Sequence, residues 1–241
     1  MKSPDTHFYH RPLTAGILTL SPEESAHAVR ACRVRPGDTI RLCDGEGHFA
    51  EGTVTAASAA ACSVQVDSVQ TSEIPKPHFH LALACLKDDG NEETVFHASQ
   101  TNLGSVIFLR TEHSSEPKNS DLGKMKRRSE MKSLVSLKQS LKPWLTEIQG
   151  PFEIKDWLKN YRGNLILCDI DGNETIPAED LLALKNSKTP ATLLIGPEGG
   201  FSESEIQSIR NYSHGKVFLL RLGSTRLRAR TAAIIALGKL S

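Results

Sequence analysis

Two glycine-bearing segments carry the residue types that could hold a ligand and act on it. The first runs Leu193-Leu194-Ile195-Gly196-Pro197-Glu198-Gly199-Gly200-Phe201-Ser202-Glu203-Ser204-Glu205-Ile206. It reads as a buried strand, a Gly-Pro-Glu-Gly-Gly loop and a helix opened by Ser202 and Glu205 as a capping box. Glycines let a ligand approach the backbone, and ligands of open α/β sheets sit at the carboxyl ends of strands. The same residues would equally make a plain tight turn. The loop is neither G-x-G-x-x-G nor G-x-x-x-x-G-K-[ST], which argues against a dinucleotide fingerprint and a P-loop. The second segment leads through Leu222 and Gly223 to Arg226, Arg228 and Arg230, just ahead of a helix. Cations at a helix start oppose the macrodipole, so they do not serve the helix. They could contact nucleic-acid phosphates or bases beside a pocket. For Arg226 and Arg230 a solvated basic loop is the competing reading.

The elements that must position these loops follow a strand–helix rhythm. Strands are predicted at 79–85, 105–109, 165–170, 191–195 and 216–222. Helices are predicted at 92–103, 122–144 and 231–240. Alternation of this kind argues for an α/β domain with a parallel sheet. Before residue 72 the pattern differs. Ser21-Pro22-Glu23-Glu24 reads as a capping box with proline at the first helical position, and the helix should run through Ala26, Val29 and Arg30. Strands are expected at 39–43, 49–55 and 62–69, with a hairpin turn at Asp44-Gly45-Glu46-Gly47. This is the pattern of a small β-barrel or sandwich. Ser72-Glu73-Ile74-Pro75-Lys76-Pro77 reads as a stiff linker, so the expected domains are 1–72 and 73–241.

Composition narrows the function classes. The chain has 241 residues, 39% hydrophobic and 24% charged, enough for a packed core. Net charge is only +1, so any nucleic-acid contact must come from local clusters. There is no apolar run long enough for a membrane span and no signal-peptide pattern, so a cytoplasmic protein is expected. The five cysteines show no C-x-x-C pair and read as reduced buried thiols. His78 and His80 would share one strand face, but no third ligand is evident nearby, and no metal is expected.

The two loops together resemble the S-adenosylmethionine site of the SPOUT methyltransferase superfamily. Within it, the chain resembles the ribosomal RNA small subunit methyltransferase E family, which methylates N3 of a uridine in 16S rRNA. Leu194 to Gly200 match that family's Leu-Ile-Gly-Pro-Glu-Gly-Gly loop. Leu222, Gly223, Leu227, Arg228, Thr231 and Ala232 match its second loop. His27, Val29, Arg30, Arg33, Pro36-Gly37-Asp38 and Asp44-Gly45 are similar to its PUA-like RNA-binding domain. The resemblance spans nearly the whole chain. It implies a trefoil-knotted methyltransferase domain, a homodimer with the cofactor pocket near the subunit interface, and 16S rRNA or the small ribosomal subunit as partner. Carried over by residue, it implies cofactor binding by Leu194, Gly196, Pro197, Glu198, Gly199, Gly200, Leu222, Gly223, Leu227 and Thr231. The loop after the 165–170 strand would cover the adenine. RNA would meet Arg30, Arg33, Arg35, Arg41 and Arg226. Lys124, Lys126, Arg127 and Arg128 read rather as a solvated helix face.

The chain departs from the family pattern at several positions. Ser224, Thr225 and Arg226 replace a Gly-Pro-Arg, and Arg230 stands where an acid is expected. Ser99 stands for a helix lysine, and Asn102-Leu103-Gly104 for Glu-Leu-Gly. Gln139-Ser140-Leu141-Lys142 replaces Gln-Ser-x-Arg, and lysine substitutes poorly for a bidentate arginine. These changes predict a retained cofactor pocket and an altered RNA-facing surface. For catalysis, Arg228 is the candidate that stabilises the anionic base, since N3 of uridine must lose a proton before it attacks. Glu198 is the only acid in either loop core, and the favoured reading for it is a structural bond to loop amides. Two other functions stay open: an RNA- and cofactor-binding descendant with impaired catalysis, and a methyltransferase of a different RNA. An unrelated α/β nucleotide-binding enzyme would need the amino-terminal match to be chance.

Overall fold

The structure is a computed structural model that describes residues 6–73, 79–87, 89–114, 119–173 and 175–240. Its contacts group into two compact units. The first comprises residues 1–74 with 134–145, and the second 75–133 with 146–241. His78 and most of the proline linker lie outside the described residues.

The first unit is built on a mostly antiparallel six-stranded sheet. Its strands are β1 (His7–Tyr9), β2 (Gly16–Thr19), β3 (Thr39–Cys43), β4 (His48–Ala56), β5 (Ser63–Val66) and β6 (Gln70–Thr71). The order is β1-β3-β4-β5-β2, with β6 paired to β4 and β1 parallel to β3. Alternation in β4 turns Ala50, Gly52 and Val54 inward. They join Phe8, Leu20, Ile40, Leu42, Val64 and Val66 in the core. The expected hairpin turn is present: the Asp44 carboxylate accepts the amides of Glu46 (2.7 Å) and His48 (3.1 Å). The segment after residue 140 docks on this turn, with Gly47 N donating to Pro143 O and Leu145 N to Gly45 O, both 2.9 Å. A side chain at Gly47 could not fit, because its Cβ would lie 2.3 Å from the Trp144 ring.

The first helix differs from expectation. α1 (Pro22–Ala26) is capped by Ser21, whose Oγ accepts the Glu24 amide at 3.2 Å. The return half of the capping box is not made by Glu24. Its carboxylate, 7% exposed, accepts the Tyr9 amide at 3.1 Å and pairs with Lys138 at 2.5 Å. Past Ala26 the backbone widens into a π-turn, His27–Ala31, instead of continuing as α-helix to Arg30.

The second unit is organised by an all-parallel sheet of β7 (Phe79–Ala84), β8 (Leu103–Arg110), β9 (Glu147–Glu153), β10 (Asn164–Asn173), β11 (Ala191–Ile195) and β12 (Val217–Leu220). The order is β12-β10-β11-β7-β8-β9. Its helices are α2 (Gly90–Ala98), α4 (Ile154–Asn160), α5 (Ala178–Asn186), α6 (Glu203–Arg210) and α7 (Ala229–Leu240), while α3 (Asn119–Gln139) contributes residues to each unit. The strands are apolar on both faces, as a covered parallel sheet requires. Leu81, Leu83, Phe108, Ile166, Leu193 and Ile195 pack in one cluster. Ala82, Ile107, Leu109, Leu165, Leu167 and Leu194 pack in the other. β9 and α4 carry no strong sequence signal and go unpredicted, whereas α5 and α6 are the helical segments expected between the last three strands. α3 ends at Gln139 rather than Trp144, because Leu141 takes a left-handed conformation (φ 56°) and Pro143 follows. No described helix is long and apolar enough to cross a membrane.

Two cations of the first unit, Lys138 partly buried and Lys142 buried, give measurable predictions. Lys138→Met strands the Glu24 carboxylate and should lower stability in urea unfolding by about 3 kcal/mol. Glu24→Gln with Lys138→Met should recover most of that loss. Lys142 is 9% exposed, and burial lowers its ammonium to about 8. It is therefore a packed group and not the RNA-facing one that its motif position suggested. Between pH 8 and its unfolded value near 10.5, the unfolded chain holds more protons, so stability rises with pH. The stability of the natural chain relative to Lys142→Met should therefore increase by about 3 kcal/mol across that window. A flat difference would show the ammonium to be solvated.

Candidate functional site

Parallel strands send their following loops to one edge of the sheet, so the ends of β10, β11 and β12 meet there. Between them lies a cleft with two lobes, of about 260 and 160 Å³. Cys168, Asp169, Ile170, Arg226, Leu227 and Ala232 line both. The larger lobe adds Gly196 to Phe201, and the smaller adds Leu222, Gly223 and Thr225. The expected residues Gly196, Pro197, Glu198, Gly199, Gly200, Leu222, Gly223 and Leu227 are thus brought together.

Leu194 and Thr231 are not among the residues that line either lobe. The Leu194 side chain is fully buried on the opposite face of its strand from Ile195, and Thr231 is exposed on α7. Period-two alternation explains the first, since only every second strand residue faces a given side. Arg228 is exposed, and its carbonyl accepts the Ala232 amide at 2.8 Å, the first turn of α7. Arg226 lines both lobes, and its guanidinium donates to the Glu198 carbonyl at 2.6 Å, tying one loop to the other.

The glycine loop is held by a glutamate, but not by Glu198, whose side chain is exposed. Glu205, 3% exposed, accepts the Ser202 amide through Oε2 at 2.8 Å and the Glu112 amide through Oε1 at 2.8 Å. Ser202 Oγ accepts the Glu205 amide, which completes the predicted capping box. One carboxylate thereby fixes the start of α6 and pins the loop after β8 against it. His113 of that loop donates through Nδ1 to the Gly200 carbonyl at 3.1 Å. It also packs so close to Gly199 that an added Cβ would sit 3.0 Å from its own Cβ. Gly200 itself has φ +76°, a left-handed conformation that suits glycine.

Cys168, Asp169, Phe201, Ala229 and Ala232 line the cleft without having been singled out from residue type or spacing. Only the three-residue spacing of Ala229 and Ala232, which puts small side chains on one helix face, could have indicated them. The Cys168 thiol is pushed up to about 12, by burial first and by the Asp169 charge second, so it stays protonated. The Asp169 carboxylate is 3.5 Å from Arg210 Nη2.

The departures from the family pattern acquire local partners. Arg230 pairs with Glu93 on α2. Ser99 is 2% exposed at the end of α2, whereas Asn102 is exposed. Of the four arginines assigned to RNA in the first unit, Arg41 pairs with Glu51 at 3.5 Å. Arg30, Arg33 and Arg35 are exposed. In the helix cluster, Lys126 lies 4.0 Å from Glu130 and Arg128 3.6 Å from Glu92. Among the described residues no group of three metal-ligating side chains occurs.

Comparison with known proteins gives consistent matches. The family model described as RNA methyltransferase domain matches residues 72–241, and that of the RNA methyltransferase PUA domain matches 20–67. A ribosomal RNA small subunit methyltransferase E of Mesomycoplasma hyopneumoniae is 28% identical over 177 residues, 72% of this chain and 74% of that one. One of Rickettsia conorii is 25% identical over 225 residues, covering 92% and 88%. The solved structure of a ribosomal RNA small subunit methyltransferase E from Neisseria gonorrhoeae, bound to S-adenosyl methionine, superposes with TM-score 0.81 at 19% identity. It covers 97% of this chain and 95% of that one, a likeness of fold.

Glu205→Ala would leave the buried Ser202 amide without its acceptor, at a cost of about 1–3 kcal/mol, and would release the part-buried Glu112 amide. We expect a marked fall in the unfolding midpoint, together with faster amide exchange at Glu112 and Ser202. Unchanged exchange at both would show that the carboxylate does not hold the loops.

Proposed function

The chain belongs to the RNA methyltransferase domain family, and from that premise we propose that it methylates N3 of a uridine in 16S ribosomal RNA with S-adenosylmethionine as methyl donor. The observation that carries this reading is the two-lobed cleft at the ends of β10, β11 and β12. The cofactor combines a flat apolar purine, a ribose, a sulfonium and an amino-acid tail. The cleft suits that mixture. Leu167, Ile170, Ile195 and Leu227 offer apolar surface for the purine, and Asp169 offers a carboxylate for hydroxyl groups or positive charge. Gly196, Gly199, Gly200 and Gly223 leave backbone groups uncovered.

When bound, the cofactor supplies an electrophilic methyl carbon. The chain's own task is to hold the base in line and to ease loss of the N3 proton. Arg228 is exposed beside the second loop, where its guanidinium could reach the uracil oxygens and stabilise the anionic base. Glu198, exposed in the first loop, is the second group that could take the proton. Thr231 and Leu194 would contribute through backbone or secondary contacts.

In this reading residues 1–72 form the PUA-like RNA-binding domain, and 73–241 the knotted methyltransferase domain. Arg30, Arg33, Arg35, Arg41 and Arg226 face the RNA, and the working unit is a homodimer in the cytoplasm. The small ribosomal subunit or its free 16S rRNA is the substrate. The pairing of Arg230 with Glu93 supports an active enzyme, because the reversed charge is balanced within the protein.

The test uses labelled S-adenosylmethionine and small subunits from a strain lacking this methylation, with the product mapped by mass spectrometry. A single 3-methyluridine is expected. Arg228→Ala should retain cofactor binding and lose turnover by about 10²–10³-fold, the usual effect of removing one transition-state donor. Incorporation at another base, or none by a protein proven to bind the cofactor, would overturn the assignment. Unchanged turnover would remove Arg228 from the mechanism.

A further inference from the structure

A second cavity, of about 640 Å³, lies within the first unit and shares no lining residue with the cleft described above. His27, Cys32, Arg33, Asp38, Lys138 and Gln139 line it. Its shape follows from the π-turn. In an α-helix, neighbours on one face are three or four residues apart. The wider turn, in which Cys32 N donates to His27 O at 3.0 Å, brings residues five apart together. His27 Nε2 and Cys32 Sγ then sit 3.6 Å apart on the cavity wall. Such turns are rare and concentrate at functional sites. The next residue, Arg33, has φ 56°, which costs a non-glycine residue about 1–2 kcal/mol. Strain of this kind is typical of ligand clamps.

The charges are arranged unevenly. Lys138 is neutralised by Glu24, and Asp38 accepts the Arg35 amide at 2.8 Å. Among the described residues, no ion pair engages Arg30, Arg33 or Arg35, all three exposed. In a chain of net charge +1, three exposed cations within six residues draw a polyanion to this rim. The cavity is larger than a lone phosphate needs and lies in the range of ligand pockets. It offers a flat imidazole, an amide at Gln139 and a carboxylate at Asp38. Planar groups that stack and paired donors and acceptors that read an edge are what recognise an unstacked RNA base.

We infer that this cavity is a subsite for one unpaired nucleotide of the RNA substrate, with its base between His27 and Gln139 and its phosphate on Arg33. The inference rests on the RNA methyltransferase reading and adds a base-selective contact outside the methyl-transfer cleft.

Cys32 reports on occupancy. It is partly exposed, while Cys43 and Cys62 of the same unit are buried. Burial and the Glu24 charge raise its thiol, so alkylation is followed by mass spectrometry at mildly alkaline pH. Full-length protein is incubated with short single-stranded RNAs of each base, with duplex RNA of equal length, and with a polyglutamate peptide. At about ten times its Kd, the favoured single strand should slow Cys32 alkylation about tenfold, because labelling proceeds from the free fraction. Duplex and peptide should leave the rate unchanged. Arg33→Ala should weaken all single strands alike and lower the salt slope by about one, whereas Gln139→Leu should alter the ranking among bases. Ala31→Trp, which fills the cavity, should abolish protection. Equal protection by duplex or peptide, or no protection by RNA that is nonetheless methylated, overturns the subsite and leaves the enzyme reading intact. Failure of any RNA to bind a chain that binds S-adenosylmethionine overturns both.

Discussion

Because all six strands of the second unit run in one direction, their following loops leave the sheet at a shared edge, and the rest of the site depends on that constraint. Backbone pairing fixes it: Leu165–Leu167 bond β11 on one side and β12 on the other, in parallel register. Three loops far apart in the chain therefore meet around one cleft. The strands are apolar on both faces, so the sheet cannot slide without exposing one of its two clusters. Chemistry is left to the loops, where glycine and arginine can be placed without disturbing the core.

Two buried glutamates show how one local motif can serve different ends. Ser21-Pro22-Glu23-Glu24 and Ser202-Glu203-Ser204-Glu205 both start helices with a capping serine. Glu205 completes its box and spends its other oxygen on the Glu112 amide, joining two loops. Glu24 instead turns to the Tyr9 amide and the Lys138 ammonium. The difference arises from what packs nearby. A buried carboxylate beside a cation gains more from the ion pair than from one further amide, since an unpaired buried charge is far more costly than an unmade cap bond.

The departures from the family pattern take on physical meaning in the same way. Arg230 finds Glu93, and Lys142 lies buried with a lowered ammonium. Ser99 sits where the helix end is closed to solvent. A changed residue near a nucleic-acid surface is thus not automatically a changed contact with nucleic acid. Each of these three is first a statement about the protein's own packing.

Much of the architecture was legible in the sequence. The Gly-Pro-Glu-Gly-Gly loop, the capping box at Ser202, the hairpin turn at Asp44 and the strands at 79–85, 165–170 and 191–195 all rest on short-range rules of φ, hydrogen bonding and periodicity. Those rules act within a few residues and are written in residue type. The β9 strand, the π-turn at His27, the early end of α3 and the pairing of Glu24 with Lys138 could not be read there. They depend on groups up to 114 positions apart in the chain, and the choice between near-equal local conformations is made by what each one buries and which charge it meets. Residue type and spacing were enough to single out the two glycine loops. That Asp169, Ala229 and Ala232 line the cleft and the Leu194 side chain does not follows from the assembled fold, because membership of a cavity is set by strand register and helix face together.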